Sequence, residues 1–284
     1  HCYDNAVCGS GNTMSLEDFM HIIDELNIFG ITKIQLIGGE PLVLNERLYE
    51  YLDYCIGKFE YIEIFTNGTL LTKKHCEYFK KNKIRIALSV YSYNEEIHNS
   101  VTQNVHSWKK TNDAIQILHN YGIVYRVKNV IMNNVSIGEK NTDLYTLSER
   151  KDIVRLTGRA KLNLLNDELI QKKLITEESV VSSISRTFVK KCISGHNCFS
   201  RRLYFSVDLS VYPCVMERRL CHGNLRHNSI QDILQKNILK FNKDCVSECR
   251  DCEFRYCCFD CRPDSDGNSI YDKPWFCTYY PLEG

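Results

Sequence analysis

Cysteine is the residue that most constrains this chain. There are fifteen in 284 residues, placed very unevenly: Cys2, Cys8, Cys55 and Cys76 lie in the first 76 residues, residues 77–191 hold none, and eleven crowd between Cys192 and Cys277. No apolar run approaches the length needed to cross a bilayer, and the N-terminus lacks the basic, apolar and small-residue order of a signal peptide. A cytoplasmic protein is therefore expected. A reducing cytosol does not maintain a disulfide framework, and a chain of this length, 43% hydrophobic, can bury a core without one. Metal ligation is the natural use of so many thiols, and their clustering implies two domains.

The formal net charge is +1, from 36 basic and 35 acidic residues. That balance gives no electrostatic footprint for a nucleic acid backbone or an anionic membrane, so neither is expected as a partner. The cysteine-poor part alternates strand and helix patterns. Ser15 and Asp18 make a capping-box-like start to a helix in which Leu16, Phe19, Met20, Ile23 and Leu26 recur at helical spacing, and Gly30 ends it. Strands are expected at 34–37, 61–66, 84–91 and 124–132, helices at 46–55, 72–81 and 107–120, and a further strand at 152–156. Such alternation argues for parallel strands joined by right-handed helical crossovers, an α/β sheet or open barrel.

Residues 160–190 read as a bridge, with helical stretches at 167–173 and 177–190. Beyond it, Leu203, Phe205 and Val207 alternate with polar positions, 208–210 turns and 211–214 returns, a hairpin bracketed by cysteines; a short helix fits 229–235. The expected division is 1–160, 161–190 and 191–284.

Eight thiols stand out in the last third: Cys192, Cys198, Cys214, Cys249, Cys252, Cys258, Cys261 and Cys277. Four thiolates hold one [4Fe–4S] centre, so eight suffice for two, while paired cysteines at such spacing also bind structural zinc. Farther upstream, Gly38, Gly39, Glu40 and Pro41 directly follow a strand, where side-chain-free backbone can approach a ligand and a carboxylate can hold an amino group. Thr66 and Asn67 follow the next strand, and Ser89 lies near the end of the third. All fall at C-terminal strand ends, the face where α/β barrels place their chemistry.

This order of motifs resembles radical S-adenosylmethionine (SAM) enzymes with a SPASM extension, and the resemblance runs from Cys2 to Cys277. It implies a partial (β/α)6 TIM-like barrel followed by a small cysteine-rich α+β domain. Gly38, Gly39, Glu40 and Pro41 are similar to the motif that binds the methionyl amino group, and Thr66, Asn67 and Ser89 to other cofactor-contacting positions. His1, Cys2 and Tyr3 look like the end of the family's CxxxCxxC loop, so two further cysteines and a preceding strand are expected upstream. Carried across, Cys192, Cys198, Cys214 and Cys261 would bind one auxiliary cluster and Cys249, Cys252, Cys258 and Cys277 the other. The gap from Cys258 to Cys261 is two residues where the family more often has three; Cys257 is the competing ligand, and Cys258 is favoured.

The resemblance implies an enzyme with three [4Fe–4S] clusters, one catalytic and two auxiliary. It would cleave SAM to a 5′-deoxyadenosyl radical that abstracts a substrate hydrogen. The run from Cys249 to Tyr256 and the Cys261–Pro263 ending look most like maturases of ribosomally made peptides (RiPPs). A cross-link in a precursor peptide is expected, a thioether favoured, with a flavodoxin or ferredoxin as electron donor. The alternatives are an anaerobic sulfatase maturase forming formylglycine and a non-catalytic zinc-binding protein. Cys55 and Cys76 read as buried inert thiols, Cys8, Cys221 and Cys245 as loop thiols. His98, His106 and His119 read as helix-surface or polar-loop residues. Asp152, Arg155, Gly158 and Arg159 resemble a segment of peptide-modifying family members, where an arginine is expected either to hold a cofactor or substrate carboxylate or to be exposed or salt-bridged.

Overall fold

The computed structural model describes residues 2, 13–139, 150–181, 184–196, 198–199, 202–236, 240–258, 260–264 and 269–280. Two compact units emerge, one made chiefly of residues 15–154 and the other chiefly of residues 155–284.

The first unit runs α1 (Leu16–Ile28), β1 (Lys33–Leu36), α2 (Arg47–Cys55), β2 (Tyr61–Thr66), α3 (Lys73–Lys81), β3 (Arg85–Ser89), α4 (Glu95–Thr102), α5 (Ser107–Asn120), β4 (Tyr125–Ile131) and β5 (Arg150–Ile153). Its sheet has the order β1-β2-β3-β4-β5 with every neighbouring pair parallel. This is the α/β class expected from the alternation. Local chemistry sets the ends of the elements. Ser15 accepts from Asp18 N at 3.0 Å to open α1, and Thr72 with His75 forms a reciprocal capping box on α3.

The two faces of the sheet differ. A Cβ added at Gly68 would lie 2.8 Å from Leu88 and 3.0 Å from Ala114 of α5, so Leu88, and by alternation Ile86, point toward the helices and are buried there. The opposite face carries Glu63, Phe65 and Arg126. Arg126 grips Glu63 through both carboxylate oxygens, at 2.7 and 2.8 Å, and lies 5.0 Å over the Phe65 ring. Phe65, Ala87 and Arg126 are register partners across three strands, and the small Ala87 lets the guanidinium pass over β3 to reach β2. Gln35 on β1 and Tyr61 complete the carboxylate's partners at 2.7 and 3.0 Å.

Two expectations need correction here. Helix α4 was not foreseen, because between Glu95 and Thr102 only Ile97 and Val101 supply apolar periodicity; it is started instead by Asn94, whose side chain accepts from Ile97 N, with Glu95 and Glu96 favourable in the first turn. His98 on that helix is not a surface residue: it is buried, packs against Tyr91, and burial lowers its pKa.

The second unit holds α6 (Asp167–Lys173), α7 (Glu177–Val181), α8 (Arg186–Ser194), β6 (Tyr204–Phe205), β7 (Ser210–Tyr212), β8 (Gly223–Asn224) and α9 (Ile230–Leu234). The single helix expected over 177–190 is two, since Ser185 accepts from Phe188 N and starts a new one. The hairpin forms and gains a third antiparallel strand, β8. Its turn is closed by Asp208, which accepts from Ser206 and from both the backbone and hydroxyl of Ser210. Two small apolar clusters, Phe199–Phe241–Val246–Cys249–Ile270 and Ile175–Val180–Phe276, are the packing around the cysteines. Ile175 is hydrogen-bonded through its backbone to Phe276 and Thr278, so the stretch after α6 is part of this unit.

Candidate functional site

In the first unit, the C-terminal ends of β1, β2 and β3 bring three sequence-predicted segments to one edge. The Glu40 carboxylate ties two of them together. It accepts from the Thr66 hydroxyl at 2.6 Å, from Asn67 N at 2.8 Å and from Leu42 N at 3.1 Å. Burial raises its pKa despite these three donors. Pro41 opens the short 3-10 turn that follows and Glu40 caps it. A Cβ built at Gly38 meets nothing within 4 Å, so the backbone there faces open space. Asn67 in turn caps the next loop through Thr69 at 2.7 and 2.8 Å, and its carbonyl accepts from Thr111 of α5 at 2.8 Å. Ser89, half-buried, is the last residue of β3. Just beyond it the buried Asn129 of β4 donates to Val90 O at 2.9 Å and holds that strand end in place. Asn129 gave no signal in the sequence, being a lone amide in a strand that also carries Arg126 and Lys128.

In the second unit, the described cysteines are all free thiols. Cys249, Cys252, Cys258 and Cys277 line one small cavity together with Lys243. They come from two stretches of chain, 249–258 and the segment around Cys277, and they are the four that the resemblance groups as one set. Among the described residues no three His, Cys, Asp or Glu side chains converge on a point as they would around a single metal ion. Burial pushes the thiols of Cys249 and Cys252 up and that of Cys258 to about 12. They are protonated in this state and would lose protons on binding metal. Cys257 is not among the cavity residues; it packs with Cys258 against the Ile175–Val180–Phe276 cluster.

Cys198, Cys214 and Cys261 form a second grouping. The Cys261 thiol donates to Cys198, which lowers the pKa of Cys198 and raises that of Cys261; Cys214 is close enough to feel the charge of Cys261 and to act on that of Cys198. Cys192, assigned to the same set, lies near the end of α8.

Between Cys258 and Cys261 in sequence sits the fully buried Asp260, which organises a network that sequence reasoning missed. It accepts from His196 at 2.8 Å, contacts Arg262 closely, and lies 2.9 Å from the Lys243 ammonium. Lys243 and Arg262 hold its carboxyl well below the usual range, overcoming burial. Arg262, also fully buried, donates to the carbonyls of Ile270 and Asp272 at 2.9 Å each. These are isolated charges with no motif spacing, so only the fold could bring them together.

The remaining predicted residues fall as follows. Cys2 is half-buried, and its carbonyl accepts from Arg159 N at 3.0 Å. Tyr3 and Cys8 lie outside the described residues. Arg155 is salt-bridged to the buried Asp264 at 2.8 Å. Cys55 and Cys76 are fully buried, with thiols pushed by burial to about 12 and about 11. Cys221 and Cys245 are exposed.

The family model of the Radical SAM superfamily matches residues 1–143, half of the chain. This chain belongs to the radical SAM superfamily. It is a radical SAM enzyme, and SAM with a [4Fe–4S] cluster are the cofactors that membership implies. Its parallel sheet is the half-barrel of the radical SAM core. The antilisterial bacteriocin subtilosin biosynthesis protein AlbA of Bacillus subtilis is 24% identical over 98% of this chain and 67% of its own length. Among solved structures, native anSMEcpe with bound AdoMet superposes with a TM-score of 0.67, covering 97% of this chain and 89% of that one at 18% identity. Streptococcus suis SuiB bound to precursor peptide SuiA gives a TM-score of 0.64, covering 94% and 70% at 14% identity. Both superpositions extend the shared fold well past the matched family region, across the cysteine-rich unit. Among the described residues of this radical SAM enzyme, no helix is long and apolar enough to cross a membrane.

Proposed function

We propose that this radical SAM enzyme is a peptide maturase that installs a cross-link, a thioether favoured, in a ribosomally synthesised precursor peptide. Its residues 1–160 would form the radical SAM part, 161–190 a bridge, and 191–284 a SPASM domain with two auxiliary [4Fe–4S] clusters. The observation that carries this reading is the cavity walled by Cys249, Cys252, Cys258 and Cys277. A radical SAM chain with such a cavity, similar over nearly its whole length to a bacteriocin biosynthesis protein, is best read as acting on a peptide.

Cys2 would supply one ligand of the catalytic cluster, with Tyr3 beside the cofactor. Glu40 would take the cofactor's amino group with the lone pairs left free by Thr66, Asn67 and Leu42, and the open backbone at Gly38, beside Gly39, would let the cofactor lie close. Ser89 would lie near its ribose. Cys192, Cys198, Cys214 and Cys261 would hold one auxiliary cluster, and the four cavity thiols the other. With every iron so ligated, electron transfer is the role left to them, fed by a flavodoxin or ferredoxin. When bound, these groups supply the carbon radical that takes a hydrogen atom and an acceptor for the electron left behind. The peptide then loses a C–H and an S–H bond and gains a C–S bond, so it becomes two hydrogens lighter.

The test is anaerobic incubation of the reconstituted enzyme with SAM, a reductant and the peptide encoded beside it. A product lighter by two hydrogens, with its cysteine no longer alkylated, is expected. Unchanged peptide, or metal analysis that finds zinc without iron and sulfide, defeats the proposal. An aldehyde on a sulfatase-derived peptide would identify the formylglycine alternative instead.

A further inference from the structure

We propose that Lys243 sets the redox level of the cluster held by Cys249, Cys252, Cys258 and Cys277, acting as a buried cation that donates to it. This rests on the cluster assignment proposed above. Lys243 sits on a 3-10 turn, Lys243–Cys245, whose start is fixed by Asn242 accepting from Asp244 N at 3.0 Å. The side chain is only 3% exposed, and it walls the same cavity as the four thiols. Its Nζ lies 2.9 Å from Asp260 Oδ2, yet it makes no aligned hydrogen bond among the described residues. A buried ammonium has three N–H donors to satisfy. Those not directed at Asp260 have no partner among the described residues, and the side chain lines the cavity where cluster and cysteine sulfurs would lie.

The charges around the cavity favour the same conclusion. Asp260 faces two fixed cations, Lys243 and Arg262, and also accepts from His196, so it does not neutralise Lys243 alone. Arg255 also borders the cavity, but it is partly exposed and paired with Asp244 at 2.9 Å, where solvent screens it. Glu253 faces outward, on Tyr279. Lys243 is thus a buried cation on the wall of that cavity whose one counter-ion is shared with a second cation. A nearby cation and N–H donors to sulfur stabilise the more negative, reduced cluster and raise its potential. A merely structural lysine would instead serve Asp260 and leave the potential alone.

The experiment compares the reconstituted full chain with K243M, K243Q and K243R, measuring iron and sulfide and then the midpoint of each cluster by redox titration followed by electron paramagnetic resonance. In K243M and K243Q one of the three midpoints should fall by at least a tenfold change in its reduction equilibrium, about 59 mV for one electron, while the other two stay put. K243R should keep that midpoint within about threefold of the parent. Unchanged midpoints at full iron content overturn the inference. So do a shift common to all three clusters and iron loss in K243M and K243Q that K243R restores, since these mark a structural cation. A parent protein with iron for fewer than three clusters overturns the cluster assignment itself, and this inference with it.

Discussion

Replacing Arg126 with Met tests whether the charged face of the sheet is held by one ion pair. Glu63 is 1% exposed and receives two bonds from Arg126, one from Gln35 and one from Tyr61. Removing one partner of a buried pair costs about 3–5 kcal/mol, because the other charge is left in a poor solvent. The Arg126 side chain is 23% exposed, and two neutral donors remain on Glu63, so the cost falls at or below the bottom of that range, about 2–3 kcal/mol. The sign of the pH dependence follows. In the parent, burial raises the Glu63 pKa but Arg126 outweighs it, and the result lies below the ordinary value of 4.5. The pair's contribution is therefore fully present above pH 4.5 and is lost as pH falls through the lower, folded value. In Arg126→Met burial acts unopposed by the guanidinium, so the carboxyl protonates earlier and escapes its penalty. The gap between parent and variant should be widest near neutral pH and narrow toward acid. Urea unfolding of both proteins across this range measures it. The double variant Arg126→Met/Glu63→Gln should recover at least half of the loss, since an amide can still use Gln35 and Tyr61. An equal loss at all pH values, or a double variant no better than the single, would refute the reasoning.

Gly68→Ala should destabilise by about 2–4 kcal/mol in the same assay, combining a left-handed φ of 79° with contacts at 2.8 and 3.0 Å; Gly57→Ala, at φ 82° in open space, should lose only about 1–2 kcal/mol. Equal losses would show that the close approach of Gly68 to Leu88 and Ala114 does not matter. Cys258→Ala should lower the iron content of reconstituted protein by one cluster, about four irons, whereas Cys257→Ala should not; the reverse pattern would move the ligand to Cys257. In native protein without iron, iodoacetamide should label Cys221 and Cys245 and spare Cys55 and Cys76, with peptide mass mapping as the readout. Early labelling of Cys55 would mean that the first unit opens far more readily than its packing implies.

Much of the first unit was legible in sequence because its information is local and periodic. The helix 107–120 and the strand 61–66 agree residue for residue with α5 and β2, where apolar spacing, turn residues and length all point one way. The ends of the strands carry Gly38–Pro41, Thr66, Asn67 and Ser89, and a parallel order puts such ends on one edge without further information. Helix α4 escaped because its signal is a cap rather than a stripe, and His98 because a histidine's burial depends on what packs over it.

The cysteine-rich unit divides differently. The family resemblance grouped Cys249, Cys252, Cys258 and Cys277, and close spacing of the first three restricts how far their thiols can separate. What spacing could not decide was which of two adjacent thiols faces the cavity, nor that Lys243, His196 and Arg262 would meet at Asp260. Adjacent residues differ only in direction, and direction is set by packing. Charges separated by 64 residues, as His196 and Asp260 are, carry no pattern until the chain brings them within a hydrogen bond. The sequence by itself determined the order of strands and helices and the supply of thiols; the tertiary structure decided which of these side chains share a buried space, since burial and the electrostatics it strengthens exist only once the chain has folded around them.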